Sequence, residues 1–212
     1  MEIKTFYFNP IRTCCYVAWD DTKECVIVDP GCNGRREFQR LVDFVAIKEL
    51  KPVKVLLTHG HFDHILGLAD TAAQWPVEVY LHPADRALLP QSEEWSRQLG
   101  LEMKPYDGPF TDLADGDIIR FGHTELKVLA TPGHTPGGVC FYCEADAVVL
   151  SGDTLFAGSI GRTDFEEGDL DRLLGGIAKK LMTLDGDTTV LPGHGPATSI
   201  GYERSTNPFL RF

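Results

Sequence analysis

No apolar stretch in this chain approaches the roughly 18–20 residues that a membrane-spanning helix needs. Nor does it open with a charged segment followed by an apolar one: Met1-Glu2-Ile3-Lys4-Thr5-Phe6-Tyr7-Phe8 alternates like a β-strand. These absences predict a cytoplasmic protein with no membrane partner. Basic charge is scarce as well. Lys and Arg number 20 against 31 Asp and Glu, a net charge of -11. The basic footprint that phosphate backbones demand is missing, which argues against nucleic acid as a partner. Linkers of low complexity and shifts of composition are lacking too, so 1–212 reads as a single domain. At 212 residues, 43% hydrophobic and 24% charged, it is long enough to fill one substantial core.

Cysteine is present but unpromising as chemistry. Cys14, Cys15, Cys25, Cys32, Cys140 and Cys143 lie in apolar, strand-like stretches and are expected to be reduced. Cys140 and Cys143 have C-x-x-C spacing. Strand alternation sends them to opposite faces, so they read as small hydrophobes.

What the chain has in quantity is metal-ligand chemistry. Thr58-His59-Gly60-His61-Phe62-Asp63-His64 puts three imidazoles and a carboxylate within six positions, directly after the apolar run 53–57. Imidazole nitrogen and carboxylate oxygen are preferred ligands of Zn²⁺ and related ions. On an extended backbone His59 and His61 point the same way. Asp63 and His64 diverge and are placed to serve a second ion. Three later segments repeat the theme of a strand end followed by a Gly-flanked His or Asp. They are Thr131-Pro132-Gly133-His134, Ser151-Gly152-Asp153-Thr154 and Pro192-Gly193-His194-Gly195. Five of the seven histidines share this setting, whereas His82 and His123 read as surface or supporting residues.

The patterning around these loops predicts strands at 3–8, 14–19 and 25–28, then a helix at 35–50 capped by Asn33 and ended by Lys51-Pro52. A strand at 53–57 delivers the histidine loop. A helix from 64 or 65 to 75, a strand at 77–81 and a broken helical region at 83–99 follow. After a Gly- and Pro-rich loop, strands are expected at 117–121, 126–129, 138–142 and 147–150. A loop over 153–168, a helix at 169–182 and a strand at 188–191 complete the pattern. Each half thus contains antiparallel-looking strands, a helix and a parallel-looking strand. The expected class is α+β, two mixed sheets face to face with helices outside.

His59-x-His61-x-Asp63-His64 followed in order by His134, Asp153 and His194, with Asp29 of Val28-Asp29-Pro30-Gly31 before them, resembles the metallo-β-lactamase superfamily along nearly the whole chain. The resemblance implies a four-layer αβ/βα sandwich and two divalent metal ions, Zn²⁺ first among them, with Fe²⁺ and Mn²⁺ as alternatives. It implies that one ion takes His59, His61 and His134, the other Asp63, His64 and His194, and that Asp153 bridges them. Asp29 would support the ligands without being one, and Asp63 would be catalytic, holding in line a hydroxide shared by the ions.

The segment Gly152-Asp153-Thr154-Leu155-Phe156-Ala157-Gly158-Ser159-Ile160-Gly161-Arg162-Thr163-Asp164-Phe165 is similar to the substrate loop of hydroxyacylglutathione hydrolases (glyoxalase II) and of persulfide dioxygenases. The ending Tyr202-Glu203-Arg204-Ser205-Thr206-Asn207-Pro208-Phe209 looks most like the short bacterial glyoxalase II-like branch. The chain is therefore expected to cleave S-lactoylglutathione or related S-acyl thioesters, with Arg162 contacting the substrate or else paired to Asp164. It is expected to lack the C-terminal helical domain that, by the resemblance, supplies much of the glutathione site in longer relatives. A mononuclear iron persulfide dioxygenase, using His59, His134 and Asp153, is the alternative. A hydrolase of another small ester or lactone is a further one.

Overall fold

Strands whose residues alternate between two apolar surroundings dominate the fold. In the computed structural model, which describes residues 1–210, β1 (Glu2–Phe8), β2 (Thr13–Trp19) and β3 (Glu24–Val28) form an antiparallel meander. To it β4 (Lys51–Leu56), β5 (Glu78–Leu81) and β6 (Phe110–Asp112) add in parallel, in sequence order. The second sheet begins with β7 (Ile118–Phe121), β8 (Thr124–Ala130), β9 (Val139–Cys143) and β10 (Val148–Gly152), all antiparallel neighbours. A short ribbon, β11 (Leu155–Phe156) with β12 (Ser159–Ile160), interrupts the chain. Then β13 (Thr189–Pro192) joins β10 in parallel and β14 (Thr198–Ser199) closes the edge, giving the order β14-β13-β10-β9-β8-β7.

The core sits in three layers because the inner strands are apolar on both faces. On β3, Val26 and Val28 point between the sheets, where they meet Phe121, Val128, Phe141 and Leu150 of the other half. Cys25 and Ile27 point outward onto Leu41 and Val45 of helix α1 (Gly34–Ile47). On β9 the same alternation puts Cys143 between the sheets and Cys140 outside, as strand periodicity requires. Cys140 packs there with Leu173, Ile177 and Leu181, from a helix at 170–176 and the π-helical turn that continues it through Leu181. Each such fully buried side chain contributes about 1.5–3 kcal/mol. Two mixed sheets face to face, expected from the two-half pattern, and the αβ/βα sandwich implied by the resemblance are the fold observed. Among the described residues no helix is long and apolar enough to cross a membrane.

Several element boundaries differ from expectation; Lys51 and Pro52, expected to end the first helix, instead begin β4, and three further differences have identifiable reasons. Helix α1 ends at Ile47, before Leu50, because Glu49 turns left-handed (φ 56). The Glu49 N–H then bonds Ala46 O and the Leu50 N–H bonds Val45 O, the paired contacts of a Schellman stop made without glycine. Its N-terminus uses Asn33 as the flanking residue, but the cap is inverted. Glu37 accepts from the Asn33 N–H at 2.7 Å and also from the Asn9 N–H at 2.8 Å. The helix expected over 64–75 is two helices, α2 (Phe62–Ile65) and α3 (Leu68–Gln74). The Gly67 N–H leaves the helical ladder for Pro30 O at 2.8 Å, and the carbonyl it would have used, Asp63 O, accepts from Asn9 Nδ2 at 3.0 Å. Finally, the Gly- and Pro-rich loop contains β6, whose three residues pair only with β5.

Asp20, at the end of β2, joins the halves far from the histidine loops. Its carboxylate accepts from the His123 N–H at 2.6 Å, Thr124 Oγ1 at 3.1 Å, and the Thr22 N–H and hydroxyl. Burial alone would raise its pKa, but these donors prevail and hold it at about 2. A depressed carboxylate stabilises the fold above the unfolded value near 3.9 and loses that contribution as pH falls through the folded value. We therefore expect Asp20→Asn to lower stability by about 1–2 kcal/mol at neutral pH. The gap to wild type should close between pH 4 and 2 in denaturant titrations. An equal gap at both ends of that range would remove the carboxylate charge as its source.

Candidate metal centre

The ligand loops leave the ends of β4, β8, β10 and β13, and the two sheets bring those ends to one rim. Two backbone bonds clamp the halves there: the Val139 N–H donates to Thr58 O at 2.9 Å and the Cys14 N–H to Gly193 O at 2.7 Å. Within the second half, the Gly193 N–H donates to Gly152 O at 2.8 Å. Asp29 ends β3 in a left-handed conformation (φ 51). It accepts from the Thr58 N–H at 2.8 Å and the Thr58 hydroxyl at 2.6 Å, and its Oδ2 lies 2.9 Å from His64 Nδ1. Asp29 thus orients the loop and one imidazole, although it also lies within ligand range of His59 and His64.

Two three-residue groups form, each offering one ligand atom per residue with those atoms within 4.8 Å of one another. One is His59, His61 and His134; the other is Asp63, His64 and His194. Asp153 lies between them, with Oδ1 3.3 Å from His64 Nε2 and Oδ2 3.5 Å from both His134 Nε2 and His194 Nε2. The imidazoles are aimed by their outer nitrogens. His59 Nδ1 faces Thr58 Oγ1 at 3.0 Å, His64 Nδ1 faces Asp29, and His134 Nδ1 faces Arg162 O at 2.8 Å. Their Nε2 atoms, together with Asp153 Oδ1, are buried with no hydrogen-bond partner. Four such atoms in one place are expensive unless they bind something. Imidazole and carboxylate donors at this spacing fit a pair of divalent cations.

Electrostatics separates the two groups. Burial, reinforced by neighbouring imidazoles, pushes His59 well below the usual range and His61 down to about 3, so both are neutral and ligand-ready. His64 is equally buried, but Asp63, Asp153 and Asp29 outweigh desolvation and raise it strongly. His194 is raised for a similar reason, chiefly its contact with Asp63 at 3.2 Å. Burial opposes ionisation of Asp63 and Asp153, yet the surrounding imidazoles lower both. Cations held here by His64 and His194 would have to displace the protons those imidazoles carry.

A cleft of about 400 Å³ opens over the cluster, lined by Ile11, Phe62, Trp95, Leu99 and Phe165 as well as by His61, His134 and His194. Arg162 is on its wall. One guanidinium edge is committed to Asp164, Nε to Oδ1 and Nη2 to Oδ2 both at 2.7 Å, and the group stacks 4.2 Å above Phe165. The opposite edge has no partner among the described residues.

Sequence reasoning did not find Thr13, whose hydroxyl donates to Asp63 Oδ2 at 2.6 Å, or Asn9, which holds Thr13 and the Gly31 and Asp63 carbonyls. Trp95, on helix α4 (Leu89–Gln98), also escaped; its ring lies 5.7 Å from that of His61. None of these residues has a local sequence signature. His82 caps a turn at its own site and His123 lies beside Asp21, both away from the cluster, as expected.

Fold and cluster together define a metallo-hydrolase. The family model of the metallo-beta-lactamase superfamily matches residues 9–194, and the chain belongs to that superfamily. It is 34% identical to the hydroxyacylglutathione hydrolase GloC of Haemophilus influenzae, over 99% of this chain and 98% of that protein. The solved structure of BLEG-1 B3 metallo-beta-lactamase superposes with a TM-score of 0.90 at 38% identity, covering 100% of both chains. TTHA1623, solved in a di-iron-bound form, superposes at 0.87 with 36% identity over 98% of this chain and 100% of the other.

Proposed function

We propose that the protein is a binuclear metal-dependent thioesterase of the glyoxalase II type, acting on S-lactoylglutathione or a related small S-acyl thioester. The observation that carries this reading is the convergence of two three-residue ligand groups on either side of Asp153. A single-iron dioxygenase would need only His59, His134 and Asp153, which leaves Asp63, His64 and His194 without a purpose. The GloC relative supports a thioester substrate, and the di-iron neighbour supports a two-ion centre. Zn²⁺ suits the donor set, as do Fe²⁺ and Mn²⁺. Six free, buried cysteines support a reducing, cytoplasmic setting.

Paired cations in such a site supply a hydroxide at neutral pH and a Lewis acid for the developing oxyanion. The chain's own groups do the rest. Thr13 donates to Asp63 Oδ2 and fixes that carboxylate, whose low pKa keeps it ionised to orient the attacking water. Asp63 is also placed to receive a proton as the tetrahedral species collapses. The thiol leaving group departs as thiolate with little help, since thiols ionise near pH 8.5. Trp95, Leu99 and Phe165 give the cleft an apolar wall that limits water.

Metal-loaded protein should release free thiol from S-lactoylglutathione. Release no faster than that of an Asp153→Ala variant would sink the proposal. The free edge of Arg162 is assigned to a substrate carboxylate. Arg162→Ala should then raise KM several-fold with kcat within about twofold, the signature of lost uniform binding. An unchanged KM would leave Arg162 as a purely structural partner of Asp164.

A further inference from the structure

Asp85 takes no part in the chemistry above, yet it is a completely buried carboxylate with no Lys or Arg among its hydrogen-bond partners. It lies in the 3₁₀ turn Pro83–Leu88 that follows β5. Its Oδ2 accepts from the Gly60 N–H at 2.9 Å and from Thr135 Oγ1 at 2.8 Å, and its Oδ1 accepts from the Gly137 N–H at 2.5 Å. Gly60 separates His59 from His61, and Thr135 follows His134. One carboxylate therefore ties together the two loops that supply the three-imidazole group.

Two further observations point the same way. Ser92 of α4 donates to Gly60 O at 2.7 Å, so both backbone polar groups of Gly60 are held by the segment from Asp85 to Ser92. The space is also shaped around Asp85. A Cβ on Gly137 would lie 2.7 Å from Asp85 Oδ1, and one on Gly60 would lie 3.0 Å from Asp85 O. A buried charge is a poor way to gain stability, since a well-packed apolar group of similar size often serves as well or better. What three directed donors on one rigid carboxylate do provide is a fixed distance between loops. The Asp63, His64 and His194 group is braced by Thr13, Asp29 and the Gly193 backbone, none of which bonds to Asp85, although Asp29 also reaches His59 through Thr58.

We propose that Asp85 is a positioning residue that sets the spacing of His59, His61 and His134, and so governs cation affinity at that group without governing it at the other. The inference rests on the two-ion reading of the cluster. Co²⁺ titration of metal-free protein against a competing chelator, followed by visible absorption, tests it. His61→Ala and His194→Ala variants assign the two transitions. Wild type should bind two ions. Asp85→Asn keeps the shape but turns an amide NH₂ toward a backbone N–H. It should weaken the three-imidazole position about tenfold or more, the scale of lost support around a metal ligand. The other position should stay within threefold.

Thr135→Val, which removes one of the three bonds, should shift the same ion in the same direction by less, and carries the comparison if Asp85→Asn does not fold. A merely structural role predicts a lower Tm of the metal-free variant with both affinities unchanged, and that result overturns the proposal. A wild type that binds fewer than two ions would instead overturn the two-ion reading beneath it.

Discussion

Replacing Asp153 by alanine should abolish thiol release to within the background of the metal-free protein, a loss on the order of 10³-fold in kcat/KM or more. Among the described residues Asp153 is the one carboxylate within 3.5 Å of imidazole nitrogens from both groups. On the two-ion reading, its removal would take a ligand from each position and relax the distance between them. In a reaction that depends on two charges acting on one water and one carbonyl, either loss forfeits transition-state stabilisation. Each such contribution amounts to several kcal/mol, and about 4 kcal/mol corresponds to 10³ in rate. Metal content should fall with activity. A variant that keeps two ions per chain and turns over within tenfold of wild type would show that Asp153 does not link the groups.

The second large effect needs no polar group to be removed. Gly193, between β13 and His194, passes so close to the cluster that a Cβ would lie 2.0 Å from Asp153 Oδ1, 2.8 Å from His64 Cε1 and 3.1 Å from Gly152 C. Two of these neighbours are side chains of the cluster and the third is backbone, so the methyl of alanine can be admitted only by moving the cluster. Gly193→Ala should therefore lower kcat/KM by about 10²-fold, the scale of an ångström-level misplacement in an organised site. Its fold should survive, since the strain is confined to the rim. Far-UV circular dichroism together with thiol-release kinetics checks both statements. Near-wild-type kinetics would mean that the loop carrying His194 runs differently.

How much of this was legible in advance depended on whether a residue's signal was local. The ligand loops were readable because each repeats one short pattern: an apolar strand, a tight Gly or Pro turn, then a His or Asp. Helix α1 was visible through Leu41 and Val45, whose 3.6-residue spacing faces the sheet. Its end was not, because a Glu in place of Gly at the left-handed position hides the stop. The break between α2 and α3 was equally hidden. It depends on Pro30 and Asn9 competing for the Gly67 and Asp63 backbone groups, and those residues lie tens of positions away.

By itself the sequence indicated the candidate donor residues, their division into strand-end loops, the class of two mixed sheets with helices outside, and the face on which Cys140 and Cys143 would lie. These follow from side-chain chemistry and from periodicities of 2 and 3.6, which act over a few residues. Only the tertiary structure decided which imidazole faces which carboxylate, that Thr13 and Asn9 restrain Asp63, that Arg162 is half committed to Asp164, and that Asp85 joins Gly60, 25 positions before it, to Gly137, 52 positions after it. The reason is physical. A buried donor or acceptor must find a partner wherever packing brings one, and the packing of two sheets pairs residues whose sequence separation carries no local trace.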